Sequence, residues 1–267
     1  MQDQLKQEII RKWRTSSSAR ADLLRNLVWA ELTARYRTTI LGVLWFVLNP
    51  ILSMVILIVI FKVFVNLDIP NYPVFVLSAL LPWTFFQMAL TNASGSIPRS
   101  SSLVKKVRIP RSFIPLSAIL ASLIHFVISF VVLFILMVAE STRFTPFVLC
   151  LPVVIAFQMC FVVGLGVMMA GLNVIYRDVE FILDPLLRAM FYFTPIIYPL
   201  SWVPRRFLNW YLLNPMSGIV EIYRQTLTAG QLPSLRVLGI TVIGSVVTLI
   251  VGLTLFGRYE PYFDDYL

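Results

Sequence analysis

Carboxylates set beside cations are the first residues to test for chemistry. The densest such run is Tyr176-Arg177-Asp178-Val179-Glu180-Phe181-Ile182-Leu183-Asp184, followed by Arg188. As an enzyme, it would hold a divalent cation against a pyrophosphate-linked lipid. A two-metal site of that kind needs a second acidic cluster converging on the first, and none is expected there. The simpler reading is a turn leading into a helix, where Asp178 and Glu180 favour the positive N-terminus and Asp184 pairs with Arg188 at i,i+4. His125 is the only histidine, and Cys150 and Cys160 are the only cysteines. Metal catalysis needs several convergent ligands, so no metal site is expected, and the imidazole reads as a hydrogen-bonded packing residue. Ten residues on one helix separate the cysteines by about 15 Å, beyond the roughly 4.4–6.8 Å that a disulfide spans. A chain that burned ATP by itself would need a Gly-rich loop ending in Gly-Lys-Ser/Thr. None of the five lysines follows a glycine. No catalytic residue and no cofactor are therefore expected in this chain.

The elements that position these residues follow from composition. Of 267 residues, 58% are hydrophobic and 13% charged, against about a quarter charged in a soluble domain. A soluble enzyme, a disordered chain and a disulfide scaffold are excluded; an all-α integral membrane protein is expected. The formal charge of +9 then reports which side of a bilayer the basic residues occupy, not nucleic-acid binding.

A charge at mid-bilayer costs about 2.5–3.5 kcal/mol even on the lenient scale, and a crossing helix needs about 20 apolar residues. Uncharged runs predict spans at 40–62, 73–93, 114–138, 148–172 and 236–256. A sixth, 183–200, carries Arg188 near one end, where its side chain can snorkel. With the N-terminus inside, fifteen Lys and Arg fall on the inner side and six on the outer, Arg188 lying within a span. That bias places both termini in the cytoplasm. Ion-coupled transport is not supported, since the central spans lack carboxylates.

Between spans five and six, Phe207–Leu213 and Met216–Leu227 are apolar but too short to cross, and Asn214-Pro215 breaks the helix between them. Two half-length helices within 203–229, dipping back from the outer face, are expected where protein or a water-filled cavity shelters their ends. The alternative is an amphipathic pair lying flat at the interface. Aromatic residues crowd the outer half. Part of this is the ordinary interfacial belt, but Trp45, Phe191 and Tyr192 lie deeper along their helices. Their flat faces suit a ligand rich in C–H groups, such as a sugar chain.

Four stretches resemble the ABC-2 type permeases of polysaccharide export systems. Arg35-Tyr36-Arg37 leading into Leu41-Gly42-Val43-Leu44-Trp45-Phe46-Val47-Leu48-Asn49-Pro50 is similar to that family's first helix. Leu103-Val104-Lys105-Lys106-Val107-Arg108-Ile109-Pro110-Arg111, then Ile114-Pro115-Leu116-Ser117, resembles its loop between helices two and three. Asn173–Val179 and Phe193-Thr194-Pro195-Ile196-Ile197-Tyr198-Pro199 resemble its helix four-to-five signature. Leu213-Asn214-Pro215 with Glu221-Ile222-Tyr223-Arg224 resembles its outer gate.

The resemblance implies a homodimer bound to two cytoplasmic ATP-binding-cassette ATPases, which would hold the ATP and magnesium. It implies coupling through Lys105, Lys106, Arg108 and Arg111 of the loop 94–112, and through Arg177, Asp178 and Glu180. Trp45, Phe191, Tyr192 and Tyr198 would line the substrate path; Trp202, Trp210, Tyr211, Glu221, Tyr223 and Arg224 would form the outer gate. Residues 1–37 would be a basic cytoplasmic segment with an amphipathic interface helix, 38–257 the transmembrane domain and 258–267 a cytoplasmic tail. The cargo implied is a lipid-linked polysaccharide crossing the bacterial cytoplasmic membrane. Asn49-Pro50 points to O-antigen first, with teichoic acid or capsule next. A non-carbohydrate ABC-2 exporter and a membrane-embedded lipid-linked-sugar enzyme are the rival classes.

Overall fold

A computed structural model describes residues 17–36, 44–106, 109–142 and 144–266. Arg108 and residues 40–43 of the first expected span lie outside the described residues. Every element is helical, and among the described residues there is no strand. Helix α1 is Ser17–Tyr36. Helix α2, Trp45–Leu57, continues in a π-helical segment, Ile58–Phe64. Helix α3 is Tyr72–Ser94, and the short α4 (Ser96–Arg99) and α5 (Ser101–Lys106) follow it. Then come α6 (Phe113–Ala139), α7 (Leu151–Ile175) and α8 (Asp178–Phe193). The short α9 (Arg205–Leu213) and α10 (Pro215–Arg224) precede α11 (Leu235–Tyr259) and α12 (Phe263–Tyr266).

Among the described residues, four segments are long and apolar enough to cross a membrane: Tyr72–Ser94, Phe113–Ala139, Pro146–Ile175 and Leu235–Tyr262. The chain is a multi-pass membrane protein. In the first expected span the apolar helix Leu48–Phe64 is shorter than these. The fifth differs from expectation. Instead of 183–200, α8 occupies Asp178–Phe193, and the chain turns extended at Thr194. The residue before a proline is pushed out of the helical region, and Pro195 follows Thr194. At the other end Asp178 and Glu180 occupy the first turn, where carboxylates offset the partial positive charge. Sixteen residues rise only about 24 Å, less than the ~30 Å of hydrocarbon.

The six helices α2, α3, α6, α7, α8 and α11 alternate in direction, and contacts at the two ends of the bundle fix this. At the proximal end, Asn173 Nδ2 donates to Ser94 O (3.0 Å) and Arg111 Nη1 to Glu260 O (2.7 Å). Phe263 of α12 packs there in a cluster with Ile97, Ile109 and Val174. At the distal end, Tyr72 Oη donates to Ile197 O (3.3 Å) and Asn71 Nδ2 to Thr142 Oγ1 (3.5 Å). Ile58 and Phe61 of α2 pack beside Tyr72 and Phe75 there.

Helix α3 is the axis of the core and is buried along most of its length. Its rings interleave with those of α6 and α7: Phe85 stacks on Phe126 at 4.9 Å and Phe86 on Phe161 at 5.4 Å. Gln158 is the polar pin of this interior. Its Nε2 donates to Pro82 O (2.8 Å), and its Oε1 accepts from Tyr223 Oη (2.9 Å). The small residues of α7 and α11 are used within the chain: a Cβ on Gly252 would run into the Gly164 backbone, and one on Gly164 into Thr248 and Leu249.

Candidate functional site

The segment after Trp202 forms two short helices broken at Asn214, as its sequence predicts. Asn214 caps α10, its Oδ1 accepting from Met216 N–H at 3.0 Å, and Pro215 occupies the first turn, where the missing N–H costs nothing. The two helices differ in setting. In α10 every residue but Pro215 and Glu221 is buried, because the helix inserts against α3, α7 and α11. Gly218 permits the approach: a Cβ there would collide with Thr241 Oγ1. In α9, by contrast, only Leu212 is buried.

The insertion carries a cation into the interior. Arg224 is 5% exposed. Its Nη2 donates to Pro195 O (2.9 Å) and Ile196 O (3.0 Å), and its Nη1 to Tyr198 O (3.4 Å). Glu221 lies 3.6 Å away as its ion partner, and the guanidinium sits 3.7 Å from the Phe75 ring centroid. A buried charge is tolerable only when paired and hydrogen-bonded. Here the pairing clamps the Thr194–Pro199 turn onto α10. Tyr198 extends the clamp, its hydroxyl lying 3.0 Å from that of Tyr211 and donating to Tyr192 O at 3.0 Å. Asn214 Nδ2 donates to Thr194 Oγ1 at 3.2 Å.

Of the residues expected at the gate, the structure brings together Tyr211, Glu221 and Arg224, with Tyr198 from the expected path. Trp202 and Trp210 stand outside the cluster on exposed surface. Tyr223 is fully buried but points the other way, edge-on to Phe126 and bonded to Gln158. Tyr72 and Phe75 belong to the cluster and were not singled out, whereas Asn214, expected as the break between the two short helices, also joins it as the cap of α10. For Asn214 the signal was present, since Asn before Pro at a helix start is a cap pattern; Phe75 looks like any core ring.

The expected path residues fall into two places. Phe191 packs edge-on against Trp83 at 5.7 Å, and Tyr192 edge-on against Phe191 at 5.4 Å, with Tyr192 exposed. Trp45, also exposed, opens α2. Asn49 and Asp184 line one cavity, and both helices run from proximal to distal end. Counting from those residues, Trp45 and Tyr192 stand about 18 Å apart along the bundle.

The two segments expected to couple are neighbours at the proximal end. Asn173 joins them: it donates to Ser94 O and accepts from Glu180 N–H at 3.2 Å. Gly95 lies against both the Glu180 carboxylate and the Arg99 guanidinium. Lys105, Arg177, Asp178 and Glu180 are exposed there. Arg111 is half-buried, bonded to Glu260 O and facing the Phe263 ring at 5.9 Å. On α8, Asp184 and Arg188 approach to 3.9 Å with both side chains exposed.

Comparison with known proteins gives a concordant picture. Residues 22–228 match the ABC-2 type transporter family. The chain is 34% identical over 245 residues to the O-antigen export system permease protein RfbA of Myxococcus xanthus, covering 91% of this chain and 94% of that protein. It is 32% identical over 248 residues to the RfbA of Klebsiella pneumoniae, covering 92% and 95%. The polysialic acid transport protein KpsM of Escherichia coli is 26% identical over 237 residues, covering 86% and 90%.

Proposed function

The chain belongs to the ABC-2 type transporter family, and from that premise we propose that it is the permease subunit of an ATP-driven polysaccharide exporter. The cargo is a lipid-linked glycan of the O-antigen class, ahead of capsular or teichoic polymers. The observation that carries the reading is likeness to O-antigen export permeases over nine-tenths of the chain; the polysialic acid transporter stands further off at 26%.

The proximal end is the cytoplasmic one. It carries Arg99, Lys105, Arg111, Arg177 and Arg258, as the inner face of a membrane protein does. The six alternating helices then cross six times, α2 and α8 being the short crossings. α10 is the re-entrant half of the outer gate, its polar ends sheltered by α3, α7 and α11, and α9 lies along the outer surface. ATP and magnesium are held by two separate ATPase subunits seated on α4, α5 and the start of α8.

A second copy of this chain completes the passage. Helix α8 buries only Leu183 and Leu187, and presents Asp184 and Arg188 outward. Facing lipid, each charge would be costly; facing a water-filled passage between two copies, they are not. Closure of the ATPases shifts α4 and α5, Asn173 passes the shift to the start of α8, and the turn held by Arg224 moves at the other end. ATP drives the cycle only through its different affinity for the two states.

The test is purification with the ATPase, then ATP hydrolysis measured with undecaprenyl-linked glycans. Stimulation several-fold above the basal rate by an O-antigen-type glycan is the expected result. No stimulation by any glycan, with stimulation by a drug or simple lipid, would overturn the cargo assignment.

A further inference from the structure

Away from the gate, α2, α3, α6 and α8 line a half-open cavity of about 340 Å³. That is within the ~300–1,000 Å³ typical of small-molecule sites. Several polar side chains stand among its otherwise apolar walls. Asn49 and Ser53 lie one turn apart on α2, and Gln87 and Thr91 one turn apart on α3, all lining the space. His125 enters from α6, twelve residues from the helix start and so about 18 Å from the proximal end. The side chains of Asn49, Ser53, Gln87 and Thr91 make no hydrogen bond within the described residues. At membrane depth such groups are heavily penalised unless water or a ligand meets them. Four of them converging on one cavity therefore mark a place that is filled.

The chemistry selects the occupant. Amides and hydroxyls offer interleaved donors and acceptors, which match the hydroxyls of a sugar ring. The buried, mutually stacked pair Phe85 and Phe126 backs one side of the cavity with apolar carbon. Among the described residues no Lys or Arg lines the cavity, and the charge on its wall is the carboxylate of Asp184, whose cation Arg188 stands one turn away outside the lining. A phosphate in the cavity would meet that carboxylate first, whereas a carboxylate accepts from sugar hydroxyls. We propose that this cavity is a saccharide subsite, which takes one or two sugar units of the transported glycan and ignores the diphosphate of its carrier. The inference rests on the polysaccharide-export reading and adds to it the place where sugar is recognised. It lies near Asp184 on the passage side, proximal to Tyr192.

The experiment compares two probes on the permease–ATPase complex in nanodiscs: undecaprenyl diphosphate bearing a trisaccharide, and undecaprenyl diphosphate without sugar. The wild type should bind the sugar-bearing probe at least tenfold more tightly. Gln87→Leu combined with Thr91→Val should bring the two probes to equal affinity. Should the double variant not assemble, Thr91→Val alone and Asn49→Leu alone should each cut the preference several-fold. A folded variant that keeps the full preference overturns the cavity assignment while leaving the export reading intact. A wild type that binds both probes equally, yet is stimulated by the long glycan, does the same. A wild type that binds neither probe overturns the export reading and this inference together.

Discussion

Arg224 concentrates in one side chain the tension between burial and charge. Its guanidinium serves three carbonyls, one carboxylate and one ring, and Lys has no fork to reach them together. Arg224→Ala leaves the Glu221 carboxylate, only 13% exposed, without its cation, and breaking a buried pair costs about 3–5 kcal/mol. The expected result is a large fall in the thermal midpoint of the purified complex. Arg224→Met with Glu221→Leu should recover most of it, since replacing both charges by apolar groups is often close to neutral. A double variant no more stable than the single one would show that the pair is not what holds the turn. The i,i+3 spacing of Glu221 and Arg224 was readable along the chain, but the carbonyls of Pro195 and Ile196 lie 29 and 28 residues away in sequence. Tyr223 marks the limit of reading by nearness. Adjacent residues on a helix point about 100° apart, so Arg224 faces the turn and Tyr223 the ring cluster of α6.

Among whole elements, the pairing of α7 with α11 rests on an absence of side chains. Gly164 and Gly252 let the two backbones meet where any Cβ would intrude on the facing main chain. Backbone cannot swing aside as a side-chain tip can, so Gly164→Leu or Gly252→Val must separate the helices. Overpacking costs 1–3 kcal/mol where side chains can adjust, and these sites should exceed about 3 kcal/mol. Gly239 and Gly257 have nothing within 4 Å of an added Cβ. Replacing either by Ala should cost nothing and gain up to about 1 kcal/mol from helix propensity. Thermal midpoints of the four variants in one detergent test the contrast, and equal losses in all four would contradict it. The small-residue spacing was visible in the sequence, but not whether it served this chain or a second copy, because close packing leaves the same signature in both cases. The acidic run was read as a helix N-terminus, as found, but the span drawn at 183–200 missed that start for a related reason. Uncharged runs mark where lipid is cheap, whereas helices begin where caps and dipoles favour them, and Asp178 and Glu180 extend α8 beyond the uncharged run.

Taken as one object, the chain is a bundle with unlike ends, and its order in the membrane depends on which end faces the cytoplasm. The alternation of six helices could be read from the uncharged runs. The meeting of α4 and the start of α8 in one surface, pinned from beneath by the buried Asn173, could not, since it depends on a contact across 79 residues of sequence. If that surface receives the ATPase, Lys105 must be reachable from the cytoplasm alone, and the α10–α11 connection, which holds Leu232, from the opposite side. With Cys150 and Cys160 both changed to Ser, Lys105→Cys should react with a membrane-impermeant maleimide only in inverted vesicles. Leu232→Cys, exposed in the structure, should react only in intact cells with the outer membrane permeabilised. The opposite pattern would put the basic end outside, where no ATPase could grip it. Labelling of Lys105→Cys that falls when the ATPase is bound would instead place α5 under the motor.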